Sequence, residues 1–273
     1  MTPLAENILL VTGAGANVVV LLEQDGVAMI DGGLADNSPA LLALVAAQAG
    51  TRPVRMLFNT HWHADHTGSN EALGRAGATI VAHDNTRRWL STTVVREMQN
   101  RTFPPRPKEA WPTKTIIRPE TITFGATQID VGPLAHAHTN GDLYVSLPQA
   151  NVLIVSDALT VGRYPVPDYS TGGWINGTID AAAALLLKAD ANTRIVPGLG
   201  PVQTKPDLQA GRDMLVAVRD RVVALIRQGK SLAEVKAAAP TRGFDARWGQ
   251  PDQFLESTYI GLVRHTHELG AIL

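Results

Sequence analysis

An α/β fold in one domain with a helical C-terminal part is what this sequence predicts, on three observations. Strand-like and helix-like segments alternate over the first third of the chain. Short strand-like segments return between residues 121 and 155, and the stretch from about 206 to the end reads as mostly helical. No fixed-period repeat, low-complexity tract or break in composition divides the 273 residues. A single domain over 1–273 is therefore expected, with about 206–273 as its helical part.

The elements follow in order. "ILLVT" (8–12), "NVVVLLE" (17–23) and "VAMID" (27–31) are β-branched or apolar runs separated by Gly-containing turns, hence strands. "NSPALLALVAAQAG" (37–50) reads as a helix, with Ser38 as N-cap, Pro39 at the first helical position and Gly50 at the stop. "VRMLFN" (54–59) is a buried strand, "GSNEALGRAG" (68–77) a short helix, and "ATIVA" (78–82) a strand. Residues 84–99 have a helical pattern. Residues 100–118 hold four prolines and no period, which predicts a long loop of the kind that serves as a lid. "TITF", "TQIDV", "LYVSLP" and "NVLIVSD" supply strands up to 157; 176–190 is a helix and "RIVPG" (194–198) a strand. A helix over 206–229 stops at Gly229, Ser231 and Glu234 form the S-x-x-E capping box of the next, and a last helix is expected over 251–268.

Bulk properties narrow the function. Net charge is −1 and the pI near 6.7, so no electrostatic footprint for nucleic acid or an anionic membrane is present. The chain has no Cys, which removes disulfides, thiolate metal sites and cysteine nucleophiles. No apolar run is long enough to cross a membrane as a helix. "MTPLAENILLVTGAG" lacks the basic start and long apolar core of a signal peptide, and a cytoplasmic location or a periplasmic one after signal removal both fit. The expected partner is a small-molecule substrate, and a homo-oligomer is compatible with the sequence. No G-x-S-x-G elbow argues for a serine hydrolase, and "TGAGANVV" (12–19) reads as a loop over the site rather than a nucleotide loop.

The chemistry is concentrated in "NTHWHADHTGSN" (59–70), where His61, His63, Asp65 and His66 crowd into six positions of a chain with 8 histidines. Protonated imidazoles would repel one another; neutral ones sharing a cation explain the crowding, because imidazole nitrogen is the commonest protein ligand for zinc. Two residues apart in an extended segment, His61 and His63 can reach one ion, with Trp62 and Ala64 facing away. Asp65 and His66 can face a second ion or position a water. Gly68 permits the entry into the following helix. A catalytic zinc needs three protein ligands and an open place, so further ligands must come from elsewhere in the chain.

H-x-H-x-D-H after a buried strand resembles the zinc-binding signature of the metallo-β-lactamase-fold hydrolases, and the resemblance runs over roughly residues 8–205, with "VAMIDGG" ending in Asp31-Gly32-Gly33 in the same order. It implies a four-layer αβ/βα sandwich, to which the helical C-terminal part is an extension that compact β-lactamases lack. It also implies the distant ligands. "HAHTNGDLYVSLP" (136–148) looks like the family's H-T-x-G-D segment, which carries over to His138, with His136 as its competitor. "NVLIVSDAL" (151–159) looks like the strand ending in the bridging carboxylate, which carries over to Asp157. The family closes its second site with a histidine in a P-G-H-G turn, and this chain departs from it: Pro197-Gly198-Leu199-Gly200-Pro201 has Leu199 there. The implied metal set is thus His61, His63 and His138 for one tight zinc, and Asp65, His66 and Asp157 for a second site that is weak or vacant. His265 and His267 are conceivable substitutes for the missing histidine but read as solvated.

Zinc on the three histidines would lower the pKa of its water from ~15.7 to ~7, and Asp65 would orient the nucleophile and pass its proton to the leaving group. The expected activity is hydrolysis of amide or ester bonds in small molecules, with β-lactams first to test and lactonase, glyoxalase-II-like thioesterase or phosphodiesterase activity as alternatives on the same fold. A catalytically silent metal-binding or sensor protein is the alternative of another class. "GRYPVPDYSTGGW" (162–174) is the expected substrate-contacting loop, His83 a structural residue, Asp142 a turn residue, and Trp89, Trp111, Tyr164 and Trp174 packing or rim residues.

Overall fold

Two β-sheets packed face to face, each covered by helices on its outer side, form the body of the molecule in a computed structural model that describes residues 1–269, with side chains of the last helix as far as His265. The chain begins with β1 (Thr2–Ala5), β2 (Ile8–Val11), β3 (Val18–Glu23) and β4 (Gly26–Ile30), each antiparallel to the one before. α1 (Ser38–Ala49) then returns the chain so that β5 (Val54–Phe58) lies parallel to β4, because parallel neighbours need a crossover. α2 (Ala64–Thr67) and α3 (Asn70–Arg75) lead to β6 (Thr79–His83), parallel to β5. α4 (Asp84–Ser91) is followed by a small hairpin, β7 (Val94–Arg96) and β8 (Arg101–Phe103), before β9 (Lys114–Ile116) completes the sheet in the order β1-β2-β3-β4-β5-β6-β9.

The second sheet runs in chain order: β10 (Glu120–Phe124), β11 (Thr127–Leu134), β12 (Asp142–Leu147), β13 (Val152–Ser156) and β14 (Arg194–Pro197), the last parallel to β13 after α5 (Ile175–Lys188). α6 (Lys205–Arg227), α7 (Leu232–Ala237), α8 (Asp245–Trp248) and α9 (Asp252–Leu269) finish the described chain.

Period-2 alternation sorts the strand residues into layers. Val19, Leu21, Ala28, Ile30 and Phe58 face the second sheet, meeting Ile129, Val131, Leu143, Val145 and Ile154. Their neighbours Val18, Val20, Val27, Met29 and Leu57 face α1 through Leu41 and Val45. On the far side, Tyr144, Leu153 and Val155 pack under Ala182, Leu185 and Leu186 of α5. Strands covered on both faces explain why β3 and β4 read as nearly continuous apolar runs. α6 to α9 form their own apolar cluster with α5, around Met214, Val218, Trp248 and Phe254, and this cluster includes Tyr164 from the loop after β13.

Two local expectations change. The helix expected over 84–99 stops at Ser91, and the β-branched run Thr92–Thr93–Val94–Val95 takes up the extended hairpin instead. The loop expected over 100–118 contains β8 and β9, so its prolines punctuate short edge elements and leave no structureless lid.

Candidate metal centre

β5 ends at Phe58 and releases Asn59 and Thr60 into a turn that side chains hold shut. Asn59 and Asn70 exchange reciprocal amide hydrogen bonds at 2.9 and 2.8 Å, and Asn59 Nδ2 also donates to the His66 carbonyl at 3.2 Å. Asp31, just past β4, has φ 65, a left-handed conformation that Asp tolerates better than most residues. That backbone turns its buried carboxylate toward Thr60, whose backbone N–H donates to Oδ1 at 2.8 Å, and toward His66, whose Nδ1 lies 2.8 Å from Oδ2. Thr60 Oγ1 also reaches Ser156 Oγ at the end of β13, at 2.7 Å, so the first sheet is tied to the second directly beneath the histidines.

On this floor His61, His63, His138 and Asp157 place one donor atom each within 4.8 Å of one another. Asp157 Oδ2 lies 3.5 Å from His138 Nε2 and 4.0 Å from Nε2 of both His61 and His66; Asp65 Oδ2 lies 3.6 Å from His66 Nε2. All six expected ligands therefore converge, with Asp157 between the three-histidine group and the Asp65–His66 pair. His138 sits in the turn after β11 and not on a strand, whereas Asp157 follows β13 directly. His136 has φ 53 and binds the Gly172 carbonyl through Nδ1 at 2.9 Å, away from the cluster, so His138 is the histidine of this turn that joins it.

The donor set fits a metal ion. Nε2 of His61 and of His66 is buried with no hydrogen-bond partner, which costs free energy unless a cation takes the lone pair. Burial first, then the neighbouring histidines and Arg96, push the His61 pKa well below its ordinary value; burial likewise pushes His138 down to about 4, so both rings are neutral donors. Burial works against charge on His66 too, but the Asp31, Asp157 and Asp65 carboxylates lift its pKa to about 10, so its surroundings favour a positive charge at Nε2. Burial raises Asp157, yet the three histidines and Arg163 outweigh it and hold the carboxyl ionised below its usual range. Three imidazoles and a carboxylate with free lone pairs suit zinc and other divalent transition ions.

Residues that a linear reading passes over hold this set. Asp168, buried, accepts from His63 Nε2 at 2.9 Å, which leaves Nδ1 of His63 facing the cluster, 3.1 Å from His138 Nε2. Burial raises the Asp168 pKa, but His63 and Arg96 outweigh it and keep the carboxyl charged. Asp142 is buried and caps the ligand turn, accepting from Thr139 N and Oγ1 at 2.8 and 2.7 Å, with burial lifting its pKa to about 7. Asp31 had a sequence signal, a carboxylate ending a buried apolar strand; Asp168 and Arg96 had none.

The cluster floors a cleft of about 1030 Å³. Gly15 and Leu34 overhang one side, the β7–β8 hairpin contributes Arg96, Gln99, Arg101 and Phe103, and the 162–166 loop contributes Arg163 and Tyr164. Trp248 and Phe254 line it too, so the C-terminal helices are a wall of the site. Trp62 and Ala64, expected to face away, also line the cleft: the Trp62 ring meets His63 and Phe103 edge-on at 4.8 and 5.3 Å. Leu199, 45 % exposed, faces the same cleft in a turn that Asn17 holds through the Pro197 and Gly200 carbonyls at 2.9 and 2.8 Å. His265 stacks on Trp174 at 3.8 Å and supplies no substitute ligand; the His267 side chain lies outside those described. His83 accepts from Asn85 N and caps α4, and Trp89 donates to Asn140.

A family model described as the metallo-beta-lactamase superfamily matches residues 11–217. The chain belongs to that superfamily. Superfamily relatives include a hydroxyacylglutathione hydrolase of Erythrobacter litoralis (strain HTCC2594), 27% identical over 124 residues, which are 44% of this chain and 41% of that protein. Another, from Anaeromyxobacter dehalogenans (strain 2CP-C), is 46% identical over 69 residues, 24% of this chain and 25% of that protein. The chain thus matches less than half the length of either relative. Among solved structures, a metallo-beta-lactamase from Pontibacter korlensis superposes with TM-score 0.62 at 20% identity, covering 79% of this chain and 97% of that one. A stereoselective inverting sec-alkylsulfatase from Pseudomonas sp. superposes with TM-score 0.72 at 18% identity, covering 94% of this chain and 49% of that one. The structural likenesses show the same fold.

Proposed function

We propose that this superfamily hydrolase is a zinc enzyme that cleaves acyl bonds of small anionic molecules, with thioesters and esters ahead of β-lactams. The observation that carries the reading is the convergence of His61, His63, His138 and Asp157 at the floor of an open cleft. Zinc in that cluster would acidify a water from a pKa of ~15.7 to ~7 and polarise a carbonyl.

The chain's own groups do the rest. Asp65, whose side chain is 44 % exposed at the cleft, takes the proton of the attacking water and returns it to the leaving group. Tyr164 is unsuited to that task, since its hydroxyl donates to Asp245 at 2.9 Å and burial, with that bond, raises its pKa. Trp62, Phe103, Trp248 and Leu199 hold an apolar body and exclude water. Arg101 and Arg163 line the cleft with no acidic ion-pair partner among the described residues, whereas Asp252 faces Lys236 at 3.6 Å. With the metal beside Asp157, the cleft has an excess of positive charge suited to a carboxylate on the substrate. The names of the two hydroxyacylglutathione hydrolases support thioesters as the first class.

The test is a hydrolysis screen of zinc-loaded protein against acyl-glutathione thioesters, aryl esters, lactones, β-lactams and phosphodiesters, with anionic substrates paired with their neutral methyl esters. Turnover should stop on chelation, and the anionic member of each pair should react faster. Equal rates within pairs would remove the anion preference. No metal-dependent turnover of any acyl substrate would favour the second reading, a metal-binding or sensor protein, which Leu199 alone recommends.

A further inference from the structure

The loop after β13 returns to the metal cluster 11 residues beyond Asp157 and touches it twice through one residue. The backbone N–H of Asp168 donates to the His138 carbonyl at 2.7 Å, while its Oδ2 lies 2.9 Å from His63 Nε2. Thr171 Oγ1 donates to the same Oδ2 at 2.8 Å and accepts from Trp62 Nε1 at 3.1 Å. Arg96, the last residue of β7, brings Nε to 3.4 Å from Oδ2, an ion pair short of hydrogen-bond geometry, and this buried nitrogen has no other partner. The hairpin that carries Arg96 is the one that places Gln99, Arg101 and Phe103 along the cleft.

We infer that Asp168 and Arg96 are positioning residues: Asp168 fixes the ring of His63 with Nδ1 toward the metal, and Arg96 latches the β7–β8 wall of the substrate cleft to that same carboxylate. The physical basis is twofold. A carboxylate accepting from one ring nitrogen sets tautomer and orientation for the other, an effect that typically carries 10–100-fold in metal affinity. The hairpin's two three-residue strands pair only with each other and pack through Val94 and Phe103 at their open end, so a buried charge pair beside the turn, at Arg96, bears on where the side chains of the turn end stand. Phe103 against Trp62, at 5.3 Å, with Trp62 bonded to Thr171, is a second link between the same hairpin and the same turn. One carboxylate thereby holds both the His63 ring and the substrate-cleft wall.

This inference rests on the cluster being a metal site, and the experiment separates the two. The parent, Asp168→Ala, Asp168→Asn and Arg96→Gln are loaded with cobalt(II), and for each the visible absorption spectrum, the cobalt affinity by chelator competition, and kcat and KM on the best substrate are measured. If the parent binds no cobalt, the metal reading itself fails. With a binding parent, Asp168→Ala should lose roughly 10–100-fold in affinity with an altered spectrum. Asp168→Asn keeps an acceptor for the ring N–H and should recover part of that affinity. Arg96→Gln should keep the parental affinity and spectrum and raise KM several-fold. Parental spectrum, affinity and KM in the folded variants would overturn the inference. Should Asp168→Ala not fold, Asp168→Asn and Arg96→Gln decide it alone by the same readings.

Discussion

At the scale of single residues, Asp65 and Leu199 carry the sharpest expectations. Asp65 is the most exposed carboxylate of the converging set, held 3.6 Å from His66 Nε2 by position rather than by a buried network. Asp65→Asn removes a proton acceptor at almost constant volume and should cost about 10²–10⁴-fold in kcat, the span of a lost general base. Assays at matched zinc content check this, and a near-parental kcat would take the proton-transfer role away from Asp65. Leu199 presents a half-exposed apolar side chain to the cleft, in the turn where the resemblance expects the last histidine of a second site, beside a Gly198 that lies close to the Asp157 carboxylate. A leucine neither ligates nor hydrogen-bonds a replacement water. Dialysed protein should therefore retain about one zinc per chain, and Leu199→His should move the content toward about two. Elemental analysis of both proteins after identical dialysis decides it, with two tightly held ions in the parent as the adverse result.

Among elements, the turn at 168–174 governs more of the site than any helix. A Cβ on Gly173 would collide with the backbone carbonyl of His138, and that carbonyl also accepts from Asp168 N, so neither side can yield cheaply. Gly173→Ala should displace the His138 turn and weaken metal retention, while the sheets, whose core lies elsewhere, keep their far-UV signature. Metal content and circular dichroism measured together test this; unchanged metal retention would show that the two turns slide past each other. Helical spacing over 84–99 was real as far as Ser91, but Thr92–Val95 belongs to the hairpin because β-branched residues favour extended backbone and the hairpin can pack Val94 under Trp62 and Leu90.

For the whole molecule, stability resides in the apolar layer between the sheets, which contains no metal ligand. Phe58 is fully buried there and immediately precedes the Asn59–Thr60 turn. Phe58→Ala should cost about 3–5 kcal/mol, a large share of the ~5–15 kcal/mol that holds a typical domain together. A denaturant titration of the metal-free protein reads that loss directly, and a cost below about 1 kcal/mol would place the core elsewhere. Removing metal by chelation should abolish hydrolysis and lower the melting temperature without dissolving either sheet, since the Asp31–Thr60–Ser156 bonds tie the sheets with protein atoms alone.

What the sequence determined by itself is the type of site and the type of fold. H-x-H-x-D-H after an apolar strand is a local pattern of ligand chemistry, and periods of two and 3.6 distinguish strands from helices within short windows. His61, His63, Asp65 and His66 were legible for that reason, and His138, Asp157 and the altered Leu199 turn through the family resemblance. The tertiary structure alone decided what stands behind the ligands. His63 and Asp168 are 105 residues apart, Thr60 and Ser156 96 apart, and Asp31 reaches His66 across 35. Those meetings depend on sheet register and on how the second sheet, the hairpin and the C-terminal helices dock. An aspartate in "VPDYS" has the same local signature whether it faces water or buttresses a metal ligand, because burial and a partner on another element are properties of packing and not of neighbours in the chain.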